Sequence, residues 1–130
     1  MANLGTSKKL SISFEEALLA VPAALATEGF GVLTQVDVKK TFADKLGVDF
    51  RNYRILGACN PKLAHGALSS ELSAGLMMPC NVVVYEDDDG KATVMAVDPS
   101  ATVSSLSAPA LTALATEVGA KLERVLERLA

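Results

Sequence analysis

Residues Cys80–Pro99 read CNVVVYEDDDGKATVMAVDP, with two β-favouring runs, Val82–Tyr85 and Val94–Val97, on either side of an acidic turn. The Val, Thr and Tyr content of the runs, and a glycine at Gly90 free to adopt positive φ, predict a β-hairpin. Asp87, Asp88 and Asp89 lack the ligand spacing of an EF-hand loop and read as a solvated turn. The direction of the strand that precedes this hairpin in space then decides what the rest of the chain builds.

Upstream, KKLSIS (Lys8–Ser13) alternates Leu10 and Ile12 with polar residues, the period of a half-buried strand. Ser13 and Glu16 form a capping-box pattern that starts a helix at Phe14. Leu18, Leu19, Leu25 and neighbouring alanines are its expected apolar face, and Gly29 its stop. Pro22 lacks the amide that would bond Leu18, which predicts a kink or short break over Leu18–Pro22. FGVLTQVDV (Phe30–Val38) is a second strand, with Phe30, Val32 or Leu33, and Val36 facing inward. Asp37 caps a short helix, VKKTFADKLG, in which Phe42 and Leu46 lie four apart and Gly47 ends the turn. NYRILGAC (Asn52–Cys59) is a third strand, after which Asn60 caps a helix that has Pro61 at its first position.

Downstream of Pro99 a connector rich in Ser, Thr and Ala runs to Ser107. An amphipathic helix follows over about 108–129, with Leu111, Leu114, Val118, Leu122, Val125 and Leu129 on one face. The element order is therefore β-α-β-α-β-α-β-β-α, in 130 residues that fit one domain, 1–130. Half the residues are hydrophobic (50%) but only 5% are aromatic, so Leu, Val and Ala build the core. A net charge of −3, with basic pairs only at Lys8–Lys9 and Lys39–Lys40, argues against nucleic-acid binding. The N-terminus has no apolar signal region and no run approaches a membrane span, which predicts a soluble cytoplasmic protein. Small size and high apolar content predict a homodimer.

At EGFGVLTQVDV, YRILGACNPKLAHGAL and GLMMPCNVVVYEDDDG the chain resembles the bacterial and archaeal family known as domain of unknown function 302. The resemblance runs from about Ser11 to Pro99 and is most specific at the Cys-Asn-Pro around Cys59 and the Pro-Cys at Cys80. It implies an α+β fold, a mainly antiparallel sheet with helices packed on it, following a chain path like that of the TATA-binding protein. It implies no activity. The chain departs from the family pattern at Met77 and Met78, where Leu-Leu is common, and at Pro22.

The segment Ile55–Gly90 holds both cysteines and the only histidine. In a reducing compartment Cys59 and Cys80 are thiols, and they meet at one sheet edge only if their strands run antiparallel, as the resembled fold implies. Three readings stand. Both cysteines are small packing residues, with His65 at the boundary and Met77 and Met78 as core fillers. Alternatively Cys59, next to the Asn60 cap and the positive end of a helix, is a nucleophilic or redox thiol with Cys80 as its resolving partner. In the third, Cys59 and Cys80, with His65 or Met78, hold a soft metal such as Cu(I) or Zn(II). No phosphate loop, zinc-protease helix or hydrolase triad is visible, and no cofactor is indicated. The leading expectation is a non-enzymatic module that binds a small-molecule ligand or a protein partner.

Overall fold

The computed structural model describes residues 4–100 and 109–130. Its elements follow the expected order: β1 (Gly5–Ser13), α1 (Phe14–Ala26), β2 (Gly31–Asp37), α2 (Val38–Leu46), β3 (Tyr53–Cys59), α3 (Pro61–Ser70), β4 (Cys80–Glu86), β5 (Lys91–Val97) and α4 (Pro109–Glu127). A 3₁₀ helix over Leu72–Met77 joins α3 to β4 and has no counterpart in the sequence reading. The connector after Pro99 lies, from residue 101 on, outside the described residues.

All strand pairings are antiparallel, and the sheet order is β1-β5-β4-β3-β2. Gly90 adopts φ 82° at the hairpin tip. The acidic turn is tied down rather than merely solvated. Asp87 accepts from the Thr93 hydroxyl, Asp89 pairs with Lys9 at 2.7 Å, and Asp88 pairs with Arg51 at 3.4 Å.

One sheet face carries Leu56, Ala58, Val82, Val84, Val94 and Ala96, all buried, against α1 and α4. Helix α1 presents Phe14, Ala17, Val21, Ala24 and Leu25, a three-and-four spacing that defines one stripe. Leu19 falls off that stripe and is 79% exposed, so only Leu18 and Leu25 of the expected leucines face the core. The expected break at Pro22 is absent: the helix runs unbroken from Phe14 to Ala26, because its buried stripe holds both halves on one sheet face.

Strand β2 corrects a second expectation. Phe30 is buried and Val32 packs on the core, but Leu33 and Val36 are exposed. Val32 pairs with Ala58 and Thr34 with Gly57, so Leu33 is one extra residue in the strand. That bulge inverts the alternation, and Val36 pairs with Ile55 on the outward face. Helix α2, capped by Asp37 as expected, buries no residue, and Leu46 lies exposed. Its Phe42 instead meets Phe50, which leans on Tyr53, stacked in turn on Tyr85 across the outward face.

The helices are fastened at their ends. Lys8 donates to the carbonyls of Leu126 and Leu129 at 3.2 and 2.6 Å, a cation placed at the negative end of α4. At the other end of the molecule, Asn60 caps α3 by accepting from the Leu63 amide and donates its Nδ2 to the Glu28 carbonyl at 3.1 Å. Gly29, at φ 85°, leaves room for that carboxamide, since a Cβ there would stand 2.9 Å from Nδ2. The Glu28 side chain meanwhile bonds Arg124 at 3.0 Å and pairs with Arg128 at 3.6 Å, tying α1 to α4.

Two predictions follow from this junction. Asn60→Ala loses a cap and a bridging bond, and should lower unfolding free energy by about 1–2 kcal/mol in urea melts; a change within error of zero would show the bridge to be idle. The Arg124 hydrogen bond, aided by the charges of Arg124, Lys121 and Arg128, holds the Glu28 carboxyl below its ordinary range. The unfolded chain therefore binds this proton more readily, so the contribution is full above about pH 4.3 and fades as pH falls through the lower folded value. Wild type should exceed Glu28→Gln in urea midpoint near neutrality, and the gap should close on acidification; a gap constant with pH would contradict it.

Candidate functional site

Antiparallel pairing of β3 with β4 sets Ala58 opposite Cys80. Cys59, the last residue of β3, and Cys80, the first of β4, therefore share one end of the β3–β4 ladder, both free and both half-buried. Burial pushes the Cys80 thiol above its ordinary pKa, and the neighbouring Cys59 pushes it the same way. A thiol so placed keeps its proton at neutral pH and behaves as a small apolar side chain.

The chain between the two cysteines folds back over the same end. Asn60 and Pro61 start α3, which turns Leu63, Ala64 and Ala67 toward the sheet end. The 3₁₀ helix then brings Ala74 and Met77, and Met78 follows it, while α4 closes the far side with Leu111, Leu114, Ala115 and Val118. Between these walls lies a cavity of about 90 Å³. Apart from the thiols, Asn60 is the one polar side chain among its described lining residues, and no charged residue is among them. Both ends of that carboxamide are already engaged, by Leu63 and Glu28.

Of the residues singled out from sequence, Cys59, Asn60, Met78 and Cys80 thus line one cavity. His65 is exposed on α3 and is not among the lining residues. Among the described residues, no three His, Cys, Asp or Glu side chains form a group that could hold a metal ion. The cavity itself escaped the sequence reading, as did the part played in it by Leu63, Ala74 and the α4 leucines. Their only sequence signal is apolar periodicity, which marks a buried face without showing that a gap remains beside it.

The residues before Cys80 have distinct placements. The Met78–Pro79 peptide is cis. The Pro79 ring lies over Gly57, where a Cβ would stand 2.8 Å from Pro79 Cγ and also collide with the Thr34 hydroxyl. Met77, Met78 and Pro79 line a second hollow of about 220 Å³, completed by Leu76, Asn81 and Val97. No helix among the described residues is long and apolar enough to cross a membrane.

Comparison with known proteins matches this architecture. The fold superposes on the crystal structure of an uncharacterised conserved protein, DUF302, from Bacillus stearothermophilus, with a TM-score of 0.91 and 31% sequence identity, covering 99% of this chain and 100% of that one. No curated protein matches the chain. The family model described as "Domain of unknown function DUF302" matches residues 6–129, from β1 to the C-terminal end of α4, and the chain belongs to that family.

Proposed function

We propose that the protein is a binding module for a small, uncharged, apolar ligand held in the cavity between the end of the β3–β4 ladder, α3 and α4. The observation that carries this reading is the wall itself: apolar side chains from several elements line the space, and its one carboxamide is already satisfied. Such a space favours apolar contents over water, which needs polar partners to enter. Its volume of about 90 Å³ is smaller than the roughly 150 Å³ of an engineered cavity that takes benzene, so a ligand of that size requires the wall to give. Met77 and Met78 supply the give, being unbranched and able to repack at little cost.

A thiol reaction at Cys59 with Cys80 as resolving partner ranks second. The proximity of the two thiols favours it, but resolution needs a thiolate, and burial keeps Cys80 protonated. The homodimer expected from composition belongs to the same proposal. The outward sheet face supports it, with Val36 46% and Met95 40% exposed.

Methyl NMR with xenon and with benzene as probes tests the ligand reading. Saturable shifts are expected at Ala64, Ala67, Leu114 and Val118, and they should vanish in Ala64→Phe or, if that variant folds poorly, in Leu114→Phe. Saturation without any response at these methyls would refute it. For the dimer, sedimentation velocity at micromolar concentration should show a two-chain species that Met95→Lys dissociates; a wild-type monomer rules it out.

A further inference from the structure

The cavity lies where two hydrophobic cores fail to meet. Phe30 and Ala58 of its wall belong to the main core between sheet and helices, whereas Ala67, Ala74, Leu111 and Ala115 form a separate satellite core. The segment 61–78 holds to the molecule mainly through that satellite. Helix α3 buries only Ala67 and the 3₁₀ helix only Ala74, while α1 places a full stripe in the main core. The chief packing partners of α3 are α4 and the 3₁₀ helix, ahead of every strand. The 3₁₀ helix leaves its leucines bare, with Leu72 85% and Leu76 84% exposed.

Its ends, by contrast, are pinned. Asn60 donates to the Glu28 carbonyl before α3, and the Pro79 ring lies over Gly57 after the 3₁₀ helix. A segment with so little buried apolar surface between two firm contacts is a unit of low local stability. Helix α3 has 10 residues, and isolated helices shorter than about 12–15 residues are marginal in water, so it loses its helical form on leaving α4. Opening is therefore a local unfolding that uncovers the α3 side of the cavity.

We propose that residues 61–78 form a lid that opens as one unit between Asn60 and Pro79, and that this opening admits the ligand. The proposal rests on the reading of the cavity as a site for an apolar ligand and describes how that site is entered. A space of about 90 Å³, against the roughly 150 Å³ that takes benzene, requires the wall to move, and the lid is the part of the wall least tied to the main core. The closed lid is common to the empty and the occupied protein. A change that stabilises it thus slows entry and exit alike and leaves affinity unchanged.

Two lid positions test this without altering the described lining residues. At Gly66 a Cβ would stand 3.8 Å from Leu114 Cδ1, an ordinary contact, so Gly66→Ala favours the closed helix. Leu68 packs on the satellite core from outside the cavity wall, so Leu68→Ala loosens the lid.

Native-state hydrogen exchange should give the Ala64, Glu71 and Ala74 amides, each hydrogen-bonded within the segment, one shared protection factor at least about 100-fold below that of β4. Benzene exchange, read from the line shapes of the cavity methyls, then measures the entrance. Gly66→Ala should lower the association and dissociation rate constants together by roughly 2- to 5-fold with Kd unchanged. Leu68→Ala should raise both by at least about 5-fold; if circular dichroism shows that variant misfolded, Gly66→Ala decides alone. Lid amides as protected as those of β4, or wild-type benzene rates in the folded variants, would overturn the proposal. Benzene that shifts the cavity methyls at rates indifferent to both substitutions leaves the ligand reading standing and removes the lid. If the lid amides exchange together while neither benzene nor xenon shifts a cavity methyl, the ligand reading fails and the opening motion stands.

Discussion

The antiparallel ladder between β3 and β4 is the constraint on which the candidate site depends. These strands occupy the second and third places from the β2 edge and bury Leu56, Ala58, Val82 and Val84 against the helices. Because they run in opposite directions, the end of one and the start of the other coincide, with Ala58 opposite Cys80. A parallel pair joined by a crossover would have placed Cys59 and Cys80 at opposite ends of the sheet. The antiparallel pair instead requires residues 60–79 to leave and return at one end of the sheet, so that end acquires walls from α3 and the 3₁₀ helix.

The walls hold their spacing through the junction of Glu28, Gly29 and Asn60. Asn60 serves two elements with one carboxamide, satisfying the first turn of α3 and the carbonyl at the end of α1. Glu28 extends the connection to α4 through Arg124 and Arg128. The junction thereby links the end of α1 to α3 and α4 beside the site, without placing a charged group among its described lining residues. The Cys-Asn-Pro motif is, on this view, a device that turns a strand into a correctly seated helix, and its cysteine reaches the cavity as a consequence.

How much of this is legible in the sequence depends on the range of the interaction. Caps at Ser13, Asp37 and Asn60 are local, set by residues within four positions, and each forms as its spacing implies. The face of Val36 is not local: it depends on one extra residue at Leu33, which shows only when β2 is laid against β3. His65 shares a segment with the cysteines, yet at about 100° per residue it falls far round α3 from Leu63, Ala64 and Ala67. Nearness in sequence does not place it at the site. The cavity is least legible of all, because it is space left between four elements rather than a property of any one.

Gly57 shows how the compliant part of that space is anchored. A glycine inside a central strand costs roughly 0.5–1 kcal/mol relative to alanine, and nothing about a positive φ requires one here. The close approach of Pro79 and Thr34 does, since any side chain at position 57 would occupy the space their atoms fill. Seating Pro79 on Gly57 fixes the start of β4, and Ala74, buried in a small satellite core with Ala67, Leu111 and Ala115, fixes the segment on its other side. Between these fixed points stand Met77 and Met78, which line both hollows. Both hollows are therefore bordered by unbranched, adaptable side chains, in a segment that Ala74 and Pro79 fix on either side.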